Sequence, residues 1–308
     1  MMENFLKTYQ TYHKPVMLAQ SINGLSVKPE GVYIDLTFGS GGHAHAILQQ
    51  LGENGKLIAF DQDQDSKVNL QDDPRLLFIN HNFKYLTKHL KIHGIDKVDG
   101  ILGDLGVSSH QFDCRERGFS TRFDGPLDMR MDVRKPLNAS DILHTSEEKE
   151  LNRIFRQYGE IKNAAKLAKL IVQERTIKPF ASSSDFIERI KTCIPLHKEF
   201  KYLAQLYQAL RIEVNDEINA LKSMLEQSIA LLNPTGRLVI ISYHSLEDRI
   251  VKIFMRSGNF NDKQEKDFYG NSLSPFTVIN RRAIVPDEKE IQENNRSRSA
   301  KLRIAERK

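Results

Sequence analysis

The chain has 308 residues and carries 45 Lys and Arg against 40 Asp and Glu, so its formal net charge is +5 at pH 7. With 40% hydrophobic and 28% charged residues, the composition is typical of a soluble globular protein. It excludes a disordered chain, a collagen-like repeat and a disulfide-stapled fold. At roughly 150 residues per domain, the length predicts about two domains.

Three features predict a cytoplasmic protein with no membrane partner. Only two cysteines occur, Cys114 and Cys193, which favours a reducing compartment. No run of residues approaches the roughly 20 apolar positions that a membrane span needs. Residues 1–5 have neither the basic region nor the apolar region of a signal peptide.

Short apolar runs alternate with amphipathic segments in the first third of the chain. The runs predict strands over 32–34, 56–60, 76–79 and 99–105, and the first amphipathic segment predicts a helix over 44–51. Strands that alternate with helices are typical of βαβ units, in which the strands form a parallel sheet.

This alternation stops near the middle of the chain, where a polar, turn-rich segment over 109–135 is followed by helical patterns. The spacing of Asp185 and Glu188 predicts a capping box at the start of one helix. Two apolar stripes with steps of three or four residues each predict one helix. The first stripe is Leu151, Ile154, Phe155 and Tyr158, and the second is Leu203, Leu206, Leu210, Val214, Ile218, Leu221 and Leu225.

Strand-like sequence returns over 236–242, followed by a predicted helix over 246–256 and a polar loop over 258–275. Two final strands are predicted over 276–280 and 300–305. The sequence therefore predicts an α/β sheet domain that is interrupted by an all-helical insertion. We place the sheet domain at residues 1–110 and 214–308 and the insertion at residues 111–213.

A glycine-rich turn joins the first predicted strand to the first helix. Gly39, Gly41 and Ala44 fit the dinucleotide-binding spacing, in which the backbone and the helix amino terminus approach a ligand closely. Asp61 ends the second strand about 20 residues later, where an acid accepts hydrogen bonds from ribose hydroxyls. Together these residues predict a site for an adenosine-type cofactor, with a structural turn and an unrelated acid as the alternative.

The acid that precedes the glycines separates two possible cofactors. Asp35 stands where S-adenosylmethionine-dependent methyltransferases have an acid, and it would offset the positive charge of that cofactor. NAD brings no such charge. An NAD-dependent oxidoreductase is therefore the alternative enzyme, supported only by the glycine spacing and Asp61.

The fourth strand ends on Asp104, where enzymes that methylate exocyclic amines carry Asp-Pro-Pro-Tyr or a related motif. Such an amine is a poor nucleophile and needs a hydrogen-bond acceptor that orients it. Methylation of a pyrimidine carbon needs a cysteine nucleophile instead. Neither Cys114 nor Cys193 has the Pro-Cys setting expected for that role, which favours amine methylation.

Several ordered motifs resemble those of the bacterial small-subunit (16S) ribosomal RNA cytosine-N4 methyltransferases of the MraW type. The resemblance covers nearly the whole chain, and a minor departure is Tyr243 in place of the usual Phe. The matching segments are 13–17 (HKPVM), 38–43 (FGSGGH), 103–111 (GDLGVSSHQ), 125–132 (GPLDMRMD), 208–212 (QALRI), 214–215 (VN), 242–249 (SYHSLEDR) and 295–303 (NRSRSAKLR).

The resemblance implies a class I (Rossmann-like) methyltransferase sheet and an inserted helical domain that recognises the substrate. It implies transfer of a methyl group from S-adenosyl-L-methionine to N4 of a cytidine in small-subunit ribosomal RNA, on the assembled subunit near the decoding centre. Asp104 would be the catalytic residue. The residues implied to contact the cofactor are Gly41, Gly42, His43, Asp61, Phe83, Asp104 and Gln111.

The implied roles have structural alternatives. Asp61 suits the ribose, the backbone of Gly41 and Gly42 suits the methionine part, and Phe83 suits a face of the adenine. Phe83 is otherwise an ordinary core aromatic, and Gln111 a surface loop residue. His43 is otherwise the start of a helix, and because no Cys or acid near it has metal-ligand spacing, we predict no structural metal.

Three further segments are expected to face RNA or to stabilise the fold. His244 is a possible contact of the target base, while Glu247, Asp248 and Arg249 could form a network at a helix amino terminus. Asp128, Arg130 and Asp132 fit either an ion-pair loop or a substrate-lining role. The carboxyl-terminal cations are a possible phosphate contact, namely Arg296, Arg298, Lys301, Arg303, Arg307 and Lys308.

The sequence leaves the protein's partners partly open. The expected partner is small-subunit ribosomal RNA, and the expected oligomeric state is a monomer or a homodimer. A non-catalytic ribosome-assembly factor that binds RNA is the alternative to an enzyme. The acids Asp61 and Asp104 argue against it, because a protein that only binds RNA has no use for both.

Overall fold

A computed structural model describes residues 15–270 and 272–308 of the chain. Residues 13 and 14 of the first matching motif, and the amino-terminal residues used to judge a signal peptide, lie outside the described residues. The chain forms two compact units. Unit 1 consists of Met1–Gly106 and Asn219–Lys308, and unit 2 of Val107–Ile218.

Unit 1 is built on one seven-stranded sheet, in the order β3-β2-β1-β4-β5-β7-β6. Neighbouring strands are parallel from β3 to β5, while β7 is antiparallel to both β5 and β6. The α/β sheet predicted from the sequence is therefore present. The strands are β1 (Val32–Asp35), β2 (Lys56–Phe60), β3 (Leu76–Ile79), β4 (Val98–Asp104), β5 (Leu232–Ser242), β6 (Phe276–Val278) and β7 (Lys301–Arg307).

The central strands are apolar on both faces because helices cover both sides of a parallel sheet. Along β2, Ile58 and Phe60 belong to one buried cluster, while Leu57 and Ala59 belong to another. This alternation is the period of two expected for a strand, whose successive side chains point to opposite faces. The helices of unit 1 are α1 (Leu18–Leu25), α2 (Gly42–Leu48), α3 (Leu86–Ile92), α10 (Glu217–Leu231, which begins in unit 2), α11 (Ser245–Ser257) and α12 (Glu288–Glu293).

Unit 2 contains helices and no strand across residues 107–218, all of which are described. Its buried cluster includes the first predicted stripe through Leu151, Ile154 and Phe155. The unit boundaries at 106/107 and 218/219 differ by four or five residues from the predicted insertion limits. The helices of unit 2 are α4 (Ser109–Asp113), α5 (Ala139–Thr145), α6 (Glu148–Gln157), α7 (Ala164–Ile177), α8 (Ser183–Arg189) and α9 (Glu199–Asn215).

Two local predictions in this region were wrong. The long second stripe is two helices, because Asp216 adopts a left-handed conformation with φ of 56° and separates α9 from α10. The carboxylate of Glu217 spans this break and pairs with Arg211 at 2.8 Å. At α8, the helix cap is Ser182 rather than Asp185, because the Ser182 hydroxyl accepts from the backbone N–H of Asp185.

The basic carboxyl-terminal segment is largely part of the sheet domain. Arg303 is buried on β7 and donates to Asp248 at 2.6 Å, and Lys301 lies 3.4 Å from the same carboxylate. Arg307 donates to the carbonyl oxygens of Ile229 and Pro275. The prediction of a phosphate contact is therefore corrected for Arg303, whose charge is buried against Asp248, while it stays a prediction for the more exposed Lys301 and Arg307.

No helix within residues 15–270 and 272–308 is long and apolar enough to cross a lipid bilayer.

Candidate functional site

Polar side chains gather at the edge of the sheet where the parallel strands end. Asp35 ends β1, Asp61 follows β2, Asp104 ends β4, and Tyr243 follows β5. This edge is where ligands bind in open α/β sheets. Asp104 pairs in register with Ile241 on the neighbouring strand, which brings the ends of β4 and β5 together.

The glycine-rich turn between β1 and α2 requires glycine at two positions. Gly41 has a φ of 80°, a left-handed conformation that residues with a side chain rarely adopt. A Cβ atom on Gly42 would lie 2.1 Å from Cγ of Pro15, so this position has no room for one. Gly41 and Gly42 therefore place no side chain over their backbone at the amino end of α2, and a ligand can approach that backbone closely.

Asp61 fixes this turn from the neighbouring strand. Its Oδ2 accepts from the backbone N–H of Gly39 at 2.7 Å, and its Oδ1 accepts from the backbone N–H of Asp63 at 2.9 Å. Carboxylate oxygens only accept hydrogen bonds, and an acceptor is the type of partner that ligand hydroxyl groups require. The arrangement is consistent with the predicted ribose contact and gives Asp61 a second role in shaping the turn.

Asp35 is a carboxyl group with no solvent exposure. Its Oδ1 accepts from the backbone N–H of Thr37 at 3.0 Å, and its buried Oδ2 has no hydrogen-bond partner among the described residues. Burial raises the pKa of this carboxyl from 3.8 to about 7, against the lowering effect of the Thr37 bond, and the nearby Asp61 raises it further. Because burial disfavours the ionised form of Asp35, a cation close to the carboxylate would stabilise that form.

Asp104 is held at both its backbone and its side chain. Its backbone N–H donates to the hydroxyl of Thr37 at 2.7 Å, and the Tyr243 hydroxyl donates to its Oδ1 at 2.7 Å. The side chain is 23% exposed, so it can reach a ligand. Desolvation raises the pKa of Asp104 to about 7; the Tyr243 bond lowers it, while Asp35 and Glu247 raise it.

His43 lies beside Asp104 but is almost completely buried, with 5% exposure. Its Nε2 lies 3.1 Å from the carbonyl oxygen of Val16, an acceptor, so Nε2 carries the ring proton. Nδ1 then presents a lone pair 4.0 Å from Oδ2 of Asp104. Burial lowers the pKa of His43 to about 4, so the ring is neutral at pH 7. The predicted cofactor contact of His43 stays a prediction.

The remaining predicted contacts lie on separate elements. Phe83 opens a short helical turn after β3 and packs, partly buried, against the apolar cluster that contains Ile34. Gln111 belongs to unit 2 and forms a capping box with Ser108 at the start of α4. The side-chain oxygen of Gln111 accepts from the Ser108 backbone at 3.1 Å. The roles of Phe83 and Gln111 toward a cofactor stay predictions.

The segment after β5 forms the helix amino-terminal network that was one of its two interpretations. The His244 ring caps α11 by accepting from the backbone N–H of Glu247, and Glu247 accepts from the backbone N–H of Tyr243 at 3.1 Å. Glu247 is 3% exposed. Asp248 pairs with Arg303, as described above. A base contact by His244 stays a prediction.

The loop over residues 128–134 forms the predicted ion pairs. Arg130 makes a bidentate pair with Asp128, at 2.9 and 2.7 Å, and Arg134 pairs with Asp132 at 2.7 Å. Asn215 fixes the loop, because its side chain accepts from the backbone N–H of Met131 and donates to a neighbouring carbonyl oxygen. A substrate-lining role for the same loop stays a prediction.

Tyr243 and Thr37 both hold Asp104, and neither is predicted from the sequence as a site residue. Thr37 lies two residues after Asp35, in the turn that was already suspected of binding a ligand. Tyr243 lies directly after β5, next to the end of β4. A polar residue just past the end of a strand adjacent to β4 was the signal that could have drawn attention to it.

These residues together fit a cationic adenosine-type cofactor. The bare backbone at Gly41 and Gly42 leaves space for close approach, and Asp61 offers acceptors at the end of β2. The unpartnered oxygen of Asp35 supplies negative charge that a cation would stabilise. S-adenosylmethionine carries its charge on a sulfonium and an amino group, which matches this set of donors and acceptors.

Comparison with known proteins is consistent with this geometry. The model of the MraW methylase family matches residues 10–308. A protein named ribosomal RNA small subunit methyltransferase H from Flavobacterium johnsoniae is 53% identical to this chain, with coverage of 98% of this chain and 100% of that protein. The protein of the same name from Bacteroides thetaiotaomicron is also 53% identical, with coverage of 97% and 98%. The one from Amoebophilus asiaticus is 52% identical over 99% of both chains.

Proposed function

The chain belongs to the MraW methylase family, and on this basis we propose that it methylates N4 of a cytidine in small-subunit ribosomal RNA, with S-adenosylmethionine as the methyl donor. The observation that carries the proposal is the placement of Asp104, an acceptor held by Tyr243 and Thr37 beside a cofactor-type glycine turn. The relatives named ribosomal RNA small subunit methyltransferase H support the choice of substrate.

Unit 1 would hold the cofactor through the residues of the sheet edge. Asp61 would accept from the ribose hydroxyls, the Gly41 and Gly42 backbone would contact the methionine part, and Phe83 would cover a face of the adenine. Asp35 would offset the positive charge. When bound, S-adenosylmethionine supplies an activated methyl group on a sulfonium centre.

Asp104 would orient the amine of the cytidine for attack. Its oxygen accepts an N–H hydrogen bond and directs the nitrogen lone pair toward the methyl group, and such positioning supplies much of the rate. S-adenosylmethionine, held by Asp35, Asp61 and the backbone of Gly41 and Gly42, would supply the methyl group with its sulfur as the leaving group. The nitrogen then carries one proton too many, and Asp104, with its pKa of about 7, is a sufficient acceptor.

The expected partner and setting follow from this substrate. We propose that unit 2, Val107–Ile218, recognises the RNA, on an assembled subunit near the decoding centre. The compartment would be the cytoplasm, where such subunits occur, and the protein would act as a monomer or homodimer without a structural metal. Phosphate contacts would make the affinity for the subunit fall as salt concentration rises.

Two alternatives predict different outcomes of one experiment. An NAD-dependent oxidoreductase, which rests only on the glycine spacing and Asp61, would neither bind nor label the subunits, and a non-catalytic assembly factor would bind subunits without modifying them. The protein is incubated with S-adenosylmethionine labelled on its methyl group and with small subunits from cells that lack this enzyme. The RNA is then digested to nucleosides, which are identified by mass spectrometry.

The expected product is labelled N4-methylcytidine at about one per subunit, with none on large subunits as the control RNA. Subunit binding without label would support the assembly factor. Label in a different nucleoside would refute the assignment of the target atom.

A further inference from the structure

We propose that Tyr243 is a positioning residue for Asp104. The Tyr243 hydroxyl holds Oδ1 of Asp104, so that Oδ2 of Asp104 contacts the cytidine amine and takes its proton. This inference rests on the proposed function, because it assumes that Asp104 contacts the amine.

The contact between the two side chains is short and sheltered. The Tyr243 hydroxyl lies 2.7 Å from Oδ1 of Asp104, within the range of a strong hydrogen bond to a carboxylate. Burial raises the pKa of Tyr243, and the adjacent Asp104 raises it further, so the hydroxyl keeps its proton and acts as the donor. The bond therefore persists throughout the working pH range.

The backbone of Tyr243 is fixed as firmly as its hydroxyl. Its N–H donates to the buried carboxylate of Glu247 at 3.1 Å, and its ring lies over Gly106, where an added Cβ would be 3.7 Å away. Pairing of Asp104 with Ile241 sets the distance between the two strand ends. Tyr243 is thus held by its own element, and its contact with Asp104 follows from the register of the sheet.

The second oxygen of Asp104 has a different environment. Oδ2 lies 4.0 Å from Nδ1 of His43, beyond hydrogen-bond range, and that nitrogen presents a lone pair rather than a proton. With Oδ1 engaged by a donor, Oδ2 is the more basic oxygen and the better acceptor of the amine proton. Titratable groups face Asp104 from every neighbouring element, namely Asp35 at β1, His43 on α2, Tyr243 and Glu247 after β5, and Glu290 on α12.

Removing the Tyr243 hydroxyl is expected to raise the pKa of Asp104. A hydrogen bond to the carboxylate favours its charged form, so its loss raises the pKa of Asp104. A bond of this type shifts a pKa by about one unit. Starting from a pKa of about 7, the ionised fraction at pH 7 then falls about fivefold, while at pH 9 it changes by only about a tenth.

The test compares Tyr243→Phe with wild type in single-turnover methylation of small subunits between pH 5.5 and 9. The expected result is a midpoint about one pH unit higher, with a rate about fivefold lower at pH 7 and near wild type at pH 9. Cofactor affinity at pH 9 should stay within about twofold of wild type. Tyr33→Phe is the matched control, because it removes a hydroxyl that contacts Lys28 and Ser26 instead of Asp104.

A second measurement separates this inference from the proposed function. The Asp104 carboxyl is titrated directly by NMR of protein labelled with ¹³C at aspartate side chains, with Asp104→Asn used to assign the signal. If wild type does not methylate subunits, the proposed function fails, and the titration alone decides the role of Tyr243. If the Asp104 midpoint is the same in Tyr243→Phe and wild type, the positioning role is refuted.

Discussion

Replacement of Asp35 by asparagine tests whether this buried acid at the end of β1, which would offset the cofactor's positive charge, lowers the stability of the folded protein. Asp35 is fully buried; its Oδ1 accepts from the Thr37 backbone N–H, and within the described part of the chain its Oδ2 has no hydrogen-bond partner. Asparagine keeps a carbonyl oxygen for that bond and nearly the same shape. It removes the ionisable group, so the two proteins differ mainly in charge.

The sign and size of the effect follow from the raised pKa. Burial holds the pKa of Asp35 at about 7 against 3.8, so between these values the native state binds more protons than the unfolded state. Stability therefore falls as pH rises through this window. At about 1.4 kcal/mol per unit, the cost approaches about 4 kcal/mol by pH 8. Asp35→Asn should match wild type near pH 4 and exceed its unfolding free energy by about 2–4 kcal/mol at pH 8.

The measurement is urea unfolding of both proteins at several pH values from 4.5 to 8. Asp73→Asn is the control: the hydrogen bond from Arg75 lowers the pKa of Asp73 below 3.8, so this carboxyl is ionised in both states from pH 4.5 upward, and the stability difference from wild type should not vary with pH in this range. Titration calorimetry should show S-adenosylmethionine binding about tenfold weaker in Asp35→Asn, because the cation loses its counter-charge. A difference in stability that does not vary with pH would refute the reasoning.

Four further variants test the rest of the site and the carboxyl-terminal segment. Asp61→Ala should weaken cofactor binding by about 2–3 kcal/mol through loss of charge-assisted bonds to the ribose; unchanged affinity in a folded variant, measured by calorimetry, would remove Asp61 from the pocket. Asp104→Asn should fold normally and lower the single-turnover methylation rate by roughly 10²–10³, whereas a rate near wild type would exclude Asp104 from the chemistry. Arg303→Gln should lower the unfolding free energy by about 3 kcal/mol because it leaves Asp248 half-buried without its main partner. The exposed Arg298 is the matched comparison: Arg298→Gln should keep wild-type stability and reduce the salt dependence of subunit binding by about one unit of slope, and an unchanged slope would exclude a phosphate contact there.

The sequence alone predicted the secondary-structure elements that show one clear pattern of apolar residues. The predicted strands over 56–60 and 76–79 coincide with β2 and β3. A short apolar run bounded by turn residues is typical of a strand that is buried on both faces. The glycine turn was equally clear, because positive φ and close approach are properties of the residues themselves.

Helix ends and the roles of charges required the tertiary structure. The apolar stripe from Leu203 to Leu225 continues through Asp216 without a change of period, so nothing in its spacing marks the break. Likewise, cations in the carboxyl-terminal segment look alike in the sequence. Only the pairing of β7 with β5 shows that Arg303 meets Asp248 inside the sheet domain, while Arg298 stays exposed.

The residue types at the candidate site could be listed from the sequence, but their protonation and mutual contacts could not. Asp104 and Tyr243 are 139 positions apart in the chain and meet because β4 and β5 are neighbours in register. The pKa values of Asp35 and Asp104 depend on how much solvent the folded chain removes from each carboxyl. Desolvation and long-range hydrogen bonds are properties of the packed molecule, so the sequence determined which groups are present and the tertiary structure decided how they act.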